Sequence, residues 1–411
     1  MSKQTVSSAQ YDLAHWPPPR RRVAGPPSKF ATLYKIMSIN TIGSDPAIQE
    51  YQPDILFLEE GVSEYPLVQE ILSRLPGVPR QTFQDISLLT EQIKSSQYDV
   101  FGEGKKSLAL SRFKGSFLKK CPGISPGMVC CNYYVVNLSK NCIYDCSYCF
   151  LQDFLANNPM QVAYVNVEDL LVELEEVFTQ YPDRNFRVGT GELTDSLALD
   201  TIVPYTATLL PFFNRQSNAV LELKTKSDQI TNLLNHPDPT NIIVSWSLNP
   251  QSIIDQEEKG TPGLAQRLES ARACMEKGYR IGFHFDPIIL NPGWEEAYRQ
   301  LVDILCDTLP IDKIEWVSLG SFRYRPSLKS IIKNRHPETR LFTSEQLPSK
   351  DGKFRYLRPL RNQAYETIRG YLMSRSQELN IYLCMETREI WEGVTGKTPR
   401  SDKKLDQFFD L

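Results

Sequence analysis

The sequence predicts an α/β protein: an open, partial (β/α)6 barrel preceded by a small N-terminal α/β region. Two observations carry this. Strand-length apolar runs alternate six times with helical stretches between residues 133 and 333, and such alternation implies parallel strands joined by right-handed crossovers. Six units also fall short of the eight that close a barrel.

Taken in order, residues 1–30 carry Pro17-Pro18-Pro19, Arg20-Arg21-Arg22 and Pro26-Pro27, a composition that predicts a disordered tail. Residues 31–128 form the N-terminal region. Asp54 to Leu58 reads as a strand, and Tyr65 to Leu75 as a helix with Leu67, Val68, Ile71, Leu72 and Leu75 on one face. Ser107 to Leu110 reads as a second strand. Pro122-Gly123 and Pro126-Gly127 mark turns before the barrel, residues 129–335. A basic extension and tail, 336–411, follows it.

The barrel's first strand is Tyr133 to Leu138, and its helix, Val167 to Phe178, carries Val167, Leu170, Leu171, Leu174, Val177 and Phe178 at helical spacing. The other strands are Phe186–Thr190, Ala219–Lys224, Ile242–Ser247, Arg280–Phe285 and Ile314–Leu319. Their helices run over about 199–213, 228–234, 262–277, 293–306 and 327–333. Gly278 takes a C-cap position, and Glu295 and Glu296 favour the first turn of the fifth helix.

In such folds the chemistry sits at the C-terminal strand ends. After the first strand, residues 141–152 place Cys142, Cys146 and Cys149 in a C-x3-C-x2-C spacing. Three thiolates this close can ligate three irons of a four-iron–four-sulfur cluster and leave one iron open. The amino and carboxylate groups of S-adenosylmethionine suit that open iron, and its reductive cleavage starts radical chemistry. The competing reading is a structural zinc site with a fourth ligand from Cys121, Cys130 or Cys131, although no second C-x2-C knuckle is present. On the same rim Gly191 allows close backbone approach, Glu192 can accept from an ammonium, and Lys226 and Ser247 can hold a carboxylate. Thr194 and Asp195 can instead cap the second helix. His284, Asp286 and Arg323 close the rim, with substrate contact and an interior hydrogen-bonded role both open for His284 and Asp286.

The 411 residues are 41% hydrophobic and 23% charged, with net charge −3 and nine cysteines. No apolar run reaches the ~20 residues of a membrane helix, and no apolar stretch follows the arginines near the start. The expectation is a cytoplasmic protein with reduced thiols and no membrane association. From Phe322 to Arg361 there are eleven Lys or Arg against three Asp or Glu, a local balance of +8. Phe322, Tyr324, Phe342, Phe354 and Tyr356 are interleaved with them. Cations neutralise phosphates and aromatic faces stack on bases, so the segment is a candidate nucleic-acid surface. A solvated basic face with core aromatics is the alternative.

The cysteine spacing with Tyr148 before the last cysteine resembles the radical S-adenosylmethionine superfamily, and longer stretches resemble the spore photoproduct lyase family within it. These are Glu64–Leu67, Cys149–Gln152, Val162–Asp169, Thr225-Lys226, Trp246–Asn249, Lys277–Phe283, Asp286-Pro287 and Gly293–Arg299. They span roughly residues 50 to 360. The resemblance implies a partial barrel of the radical S-adenosylmethionine type. It implies cluster ligation by Cys142, Cys146 and Cys149, and cofactor contacts from Lys226, Ser247 and Thr194; Tyr148, Gly191 and Glu192 complete the candidate cofactor set. It also implies an external electron donor. The type activity is reversal of a thymine photodimer in spore DNA. Two positions depart from that pattern: Glu192 stands where the lyase has its hydrogen-donating cysteine, and Phe150 where it has a tyrosine. Thr190-Gly191-Glu192 looks instead like the Gly-Gly-Glu cofactor motif of related enzymes. The expectation is therefore a radical S-adenosylmethionine enzyme cleaving its cofactor to a 5′-deoxyadenosyl radical, with substrate and catalytic residue unassigned. A lesion lyase with a rearranged hydrogen relay and a nucleic-acid-binding iron–sulfur protein without turnover are the alternatives.

Overall fold

The computed structural model describes residues 51–96, 99–123, 127–129, 131 and 133–396. The tail expected over 1–30 and Cys130 lie outside them. The chain divides into two compact units, and the description below concerns the larger, Tyr51–Phe113 with Phe117–Leu411.

All six expected strands form, in chain order, as neighbours in one parallel sheet: Tyr133–Val136, Phe186–Gly189, Ala219–Thr225, Ile242–Ser247, Arg280–Ile288 and Ile314–Ser321. A seventh parallel strand, Ile381–Leu383, lies beside the sixth, and Leu118–Lys120 pairs antiparallel with the first. The first and seventh strands do not pair with each other, so the barrel stays open. Their extensions meet at a bridge between Met128 and Thr387, where the Val129 amide donates to the Glu386 carbonyl at 2.8 Å.

The helices follow from the apolar stripes. Val167–Gln180 buries Val167, Leu170, Leu174, Val177 and Phe178, and the Phe178 ring packs on Phe186, Phe212 and Phe213. The second helix starts later than expected, at Tyr205, because Pro204 interrupts the approach. Leu264–Lys277 ends at Gly278, whose φ of 101° a side chain would disfavour.

The N-terminal region is a second sheet, in the order Arg80–Phe83, Ile55–Glu59, Ser107–Ser111, Gln161–Tyr164, Ser139–Lys140. Its last two strands come from either side of the cysteine loop. That loop therefore leaves from and returns to a sheet outside the barrel, and both its ends are fixed by ladder hydrogen bonds.

Inside the barrel, polar groups replace apolar packing. Arg187 donates to Glu222 at 2.6 Å and to the Tyr382 hydroxyl at 2.8 Å. His284 bonds Glu222 through Nε2 at 2.9 Å and Ser318 through Nδ1 at 2.5 Å. Asp286 pairs with Arg323 at 3.0 Å. Of the two roles left open for His284 and Asp286, the geometry thus gives both interior partners.

Burial, reinforced by Lys224, lowers the His284 pKa to about 4. Burial opposes ionisation of Glu222, but Arg187 and His284 hold its carboxyl far below the usual range. An unfolded histidine titrates near about 6.5. Between about 4 and 6.5 the unfolded chain therefore binds the proton that folded His284 refuses, and stability falls as pH drops through that window. His236 and His336, also lowered by burial, act in the same direction. Denaturant titrations at pH 7 and pH 5 should show lower stability at pH 5, with a shallower dependence in His284→Gln.

Candidate active site

Three thiols in one short loop have no helix or strand long enough to hold them, so the loop is held from outside. Asn141, fully buried at φ 68°, turns the chain, and its side chain accepts from the Cys142 amide at 2.8 Å. Asp145-Cys146 forms a two-residue antiparallel pair with Glu258-Lys259, in the loop region after the fourth strand. The Ser147 amide donates to the Glu257 carbonyl at 2.8 Å and its hydroxyl to the Glu257 carboxylate. Glu257 also accepts from Thr339 at 2.7 Å and from the Arg340 amide at 2.8 Å. Lys105 pairs with Asp145 at 3.2 Å and donates to the Tyr144 carbonyl. Arg335 joins Asp99 at 2.8 Å, Asp145 at 3.1 Å and Gln152 at 2.6 Å.

Cys142 and Cys149 pack against Phe101, Leu151, Leu155 and Leu193; Cys146 packs with Tyr144 and Ala198. Burial pushes the Cys142 thiol up to about 12 and raises Cys146 and Cys149. In this apolar setting the thiols would give up their protons on binding a metal rather than to water. Among the described residues no three His, Cys, Asp or Glu side chains close on a single ion. Cys121 lies by Met385, and Cys131 within electrostatic reach of Arg187 and Cys384. The three loop thiols are the donor set a cluster with one open iron requires.

The rim residues fall on either side of this loop. The Lys226 ammonium stands 5.6 Å from the Tyr148 ring centre, and no hydrogen bond or ion pair reaches it among the described residues. Burial alone would lower its pKa, but the charges of Glu258 and Cys146 raise it, so it stays a cation. Pairing of Thr225 with Trp246 brings Lys226 alongside Ser247, which is 4% exposed. Glu192 accepts from Asn137 Nδ2 at 2.7 Å. Asp195 is a tie rather than a free acid: it accepts from Thr225 Oγ1 at 2.6 Å, from the Lys226 amide at 2.7 Å, and from the amides of Leu197 and Ala198 at 3.0 Å each. Thr194 makes one long contact to the Asp195 carbonyl, 3.4 Å. A Cβ on Gly191 would sit 3.0 Å from Ser196 Oγ and 3.1 Å from the Lys224 carbonyl. The close approach this glycine allows is thus one to the third strand.

The basic segment requires a correction. Phe322, Tyr324 and Tyr356 are buried, and with Phe342 and Phe354 they form one ring cluster under a three-stranded ribbon. Phe322, Tyr324 and Tyr356 are core rather than a stacking surface, and Phe342 and Phe354 are half-buried against them. Arg323, Arg335, Arg355 and Arg361 are spent on Asp286, Asp99 with Asp145, Asp351 and Glu386. Exposed cations remain at Arg325, Lys329, Lys333, Arg340, Lys350 and Arg358.

Sequence reasoning passed over Glu257, Glu258, Arg335 and Arg267. Only Arg267 left a signal: it lies on the buried face of its helix with Leu264, Leu268, Ala271 and Cys274.

Comparison with known proteins agrees with this architecture. The family described as spore photoproduct lyase matches residues 51–379. The spore photoproduct lyase of Bacillus subtilis (strain 168) is 24% identical over 302 residues, covering 72% of this chain and 86% of that protein. That of Geobacillus sp. (strain Y412MC61) is 26% identical over 247 residues, 58% and 72% of the two chains. A solved spore photoproduct lyase double mutant with bound AdoMet and dinucleoside spore photoproduct superposes with a TM-score of 0.72 at 20% identity, over 82% of this chain and 100% of that one. That likeness places this fold among partial barrels of the radical S-adenosylmethionine type. The chain belongs to the spore photoproduct lyase family, whose members are radical S-adenosylmethionine enzymes with a four-iron–four-sulfur cluster.

Proposed function

We propose that Cys142, Cys146 and Cys149 hold the cluster, that Lys226 and Ser247 hold the cofactor carboxylate, and that the enzyme cleaves this cofactor reductively to a 5′-deoxyadenosyl radical. The observation that carries this is the Lys226 ammonium, without a hydrogen bond or ion pair among the described residues, facing Tyr148 between Cys146 and Cys149. When bound, the cluster and S-adenosylmethionine supply hydrogen-abstracting radical chemistry, fed by an external low-potential electron donor. Lys226 binds and orients the carboxylate by charge, and Tyr148 offers the ring on which that cation rests. Glu192, oriented by Asn137, is an acceptor for the cofactor ammonium, and Thr194 and the Gly191 backbone line the same side. The surrounding Phe101, Leu151, Leu155 and Leu193 exclude water from the cysteines. Reduced thiols fit a cytoplasmic setting; among the described residues no helix is long and apolar enough to cross a membrane.

A carboxylate at 192 cannot return a hydrogen atom as a thiol does. Cys274, buried in a helix, and Cys306, on the following helix, do not lie at strand ends. Cys384 does: it follows the seventh strand, 3.8 Å from Arg323 Nη2. That placement favours, as a second reading, a lesion lyase with a rearranged hydrogen relay.

Anaerobically reconstituted protein should contain about four irons per chain, and Cys146→Ala should lose them; stoichiometric zinc with no iron uptake would overturn the assignment. Reduced holoenzyme should release 5′-deoxyadenosine, with Lys226→Ala retaining iron but losing most cofactor affinity. Dinucleoside spore photoproduct should not be repaired at the rate of the Bacillus subtilis enzyme, assayed in parallel by product chromatography. Under the second reading repair proceeds and Cys384→Ala abolishes it.

Binding of DNA should weaken as salt rises. Replacing Arg325, Lys329 and Lys333 by Ala should shallow the slope of log affinity against log salt by about one unit per lost phosphate contact. Replacing Arg355, which is buried on Asp351, should not lower that slope. Anisotropy titrations at two salt concentrations measure both.

A further inference from the structure

A buried hydrogen-bonded network centred on Glu258 and Arg267 joins the two parts of the cofactor site. Arg267 Nη1 donates to the Ser247 carbonyl at 2.9 Å, and Nη2 to Glu258 at 2.6 Å. Its Nε donates to the Pro262 carbonyl at 2.9 Å, and Nη2 also reaches Thr261 Oγ1 at 2.7 Å, so the guanidinium is nearly saturated. The other oxygen of Glu258 accepts from Asn249 Nδ2 at 2.9 Å and from the Tyr148 hydroxyl. Asn249 is held in turn by Tyr298 at 2.8 Å. Glu258 is 1% exposed and Arg267 fully buried. The Glu258 backbone pairs with Cys146, and the Tyr148 ring lies under Lys226.

A salt bridge that served the core alone would need neither the tyrosine hydroxyl nor the carbonyl at the tip of the fourth strand. This one touches both groups assigned to the carboxylate: Ser247 through Arg267, and Lys226 through Tyr148. It also grips the middle cysteine by its backbone. We propose that Glu258 is a positioning residue for cofactor binding, fixing through Tyr148 and Arg267 the span between Lys226 and Ser247 that receives the carboxylate. The inference rests on the reading of Lys226 and Ser247 given above. Burial disfavours the charge on Glu258, but Arg267 and Lys226 hold its carboxyl below the ordinary range, so the acceptor stays ionised.

The test is a double-mutant cycle on anaerobically reconstituted full-length protein. It measures S-adenosylmethionine binding by calorimetry, iron content, and the change in the reduced cluster's electron paramagnetic resonance spectrum on cofactor addition. Tyr148→Phe keeps the ring and removes only the hydroxyl that Glu258 holds. Loss of one hydrogen bond to a charged group predicts about tenfold weaker binding with full iron content and an altered spectral response. In a Lys226→Ala background the same substitution should cost nothing further, because the cation it orients is gone. Glu258→Gln should weaken binding in the same direction; if it fails to fold or to load iron, Tyr148→Phe decides alone. Wild-type affinity in Tyr148→Phe, or the same loss with and without Lys226, overturns the proposal. A wild-type protein that carries the cluster but binds no S-adenosylmethionine overturns the cofactor site itself.

Discussion

A carboxylate and a guanidinium shut away from water, Glu258 and Arg267, sit at the point where the cysteine loop meets the barrel. Stripping water from two charges is costly, and such a pair is tolerated when its remaining donors and acceptors are satisfied. Here Asn249, Tyr148, Thr261, Pro262 and Ser247 satisfy them. Removing either partner alone would strand a buried charge, at about 3–5 kcal/mol. The antiparallel pair of Glu258 with Cys146 then passes that rigidity to the loop. A loop that gathers three thiols opposes its own collapse, since its conformational entropy must be paid before any metal arrives. Glu257, Lys105 and Arg335 share the task, each from a different part of the chain.

The anchors explain why the N-terminal sheet is more than an appendage. Ser139–Lys140 and Gln161–Tyr164 flank the loop and pair with each other in that sheet. Lys105 and Asp99, from the same region, reach Asp145 directly or through Arg335. Damage to this region would therefore be felt at the cysteines without touching the barrel.

Much of this was legible in the sequence, because the signals were local. Six apolar runs predicted the six strands, and the stripe from Val167 to Phe178 predicted a helix with the correct buried face. What was illegible depended on distant partners. Gln161–Tyr164 and Ile381–Leu383 are four- and three-residue strands whose identity comes only from the ladder they join. Glu257 meets Ser147 across 110 residues and Arg335 meets Asp99 across 236. No spacing announces such a pair. The aromatics interleaved with the basic segment misled for the same reason. Tyr324 pairs with Phe354 across the ribbon and stacks on it, while Arg325 and Arg358 lie outside its strands at the starts of two helices and stay exposed.

The two departures from the lyase pattern acquire a physical setting from this frame. Glu192 is not a cysteine with a different head: Asn137, at the end of the first strand, holds its carboxylate on the rim. A thiol there would leave the Asn137 amide without that acceptor. The position has thus been rebuilt as part of a polar pair rather than merely substituted. Phe150 is 48% exposed and rests against Phe154, itself 50% exposed, where a tyrosine would carry a hydroxyl. Cys146, Ser147 and Tyr148 lie on the anchored side of the loop, against Glu257 and Glu258. Phe150, one residue past the last cysteine, instead turns toward solvent. No buried charge depends on Phe150, so a change there leaves the anchors of the cysteine loop intact.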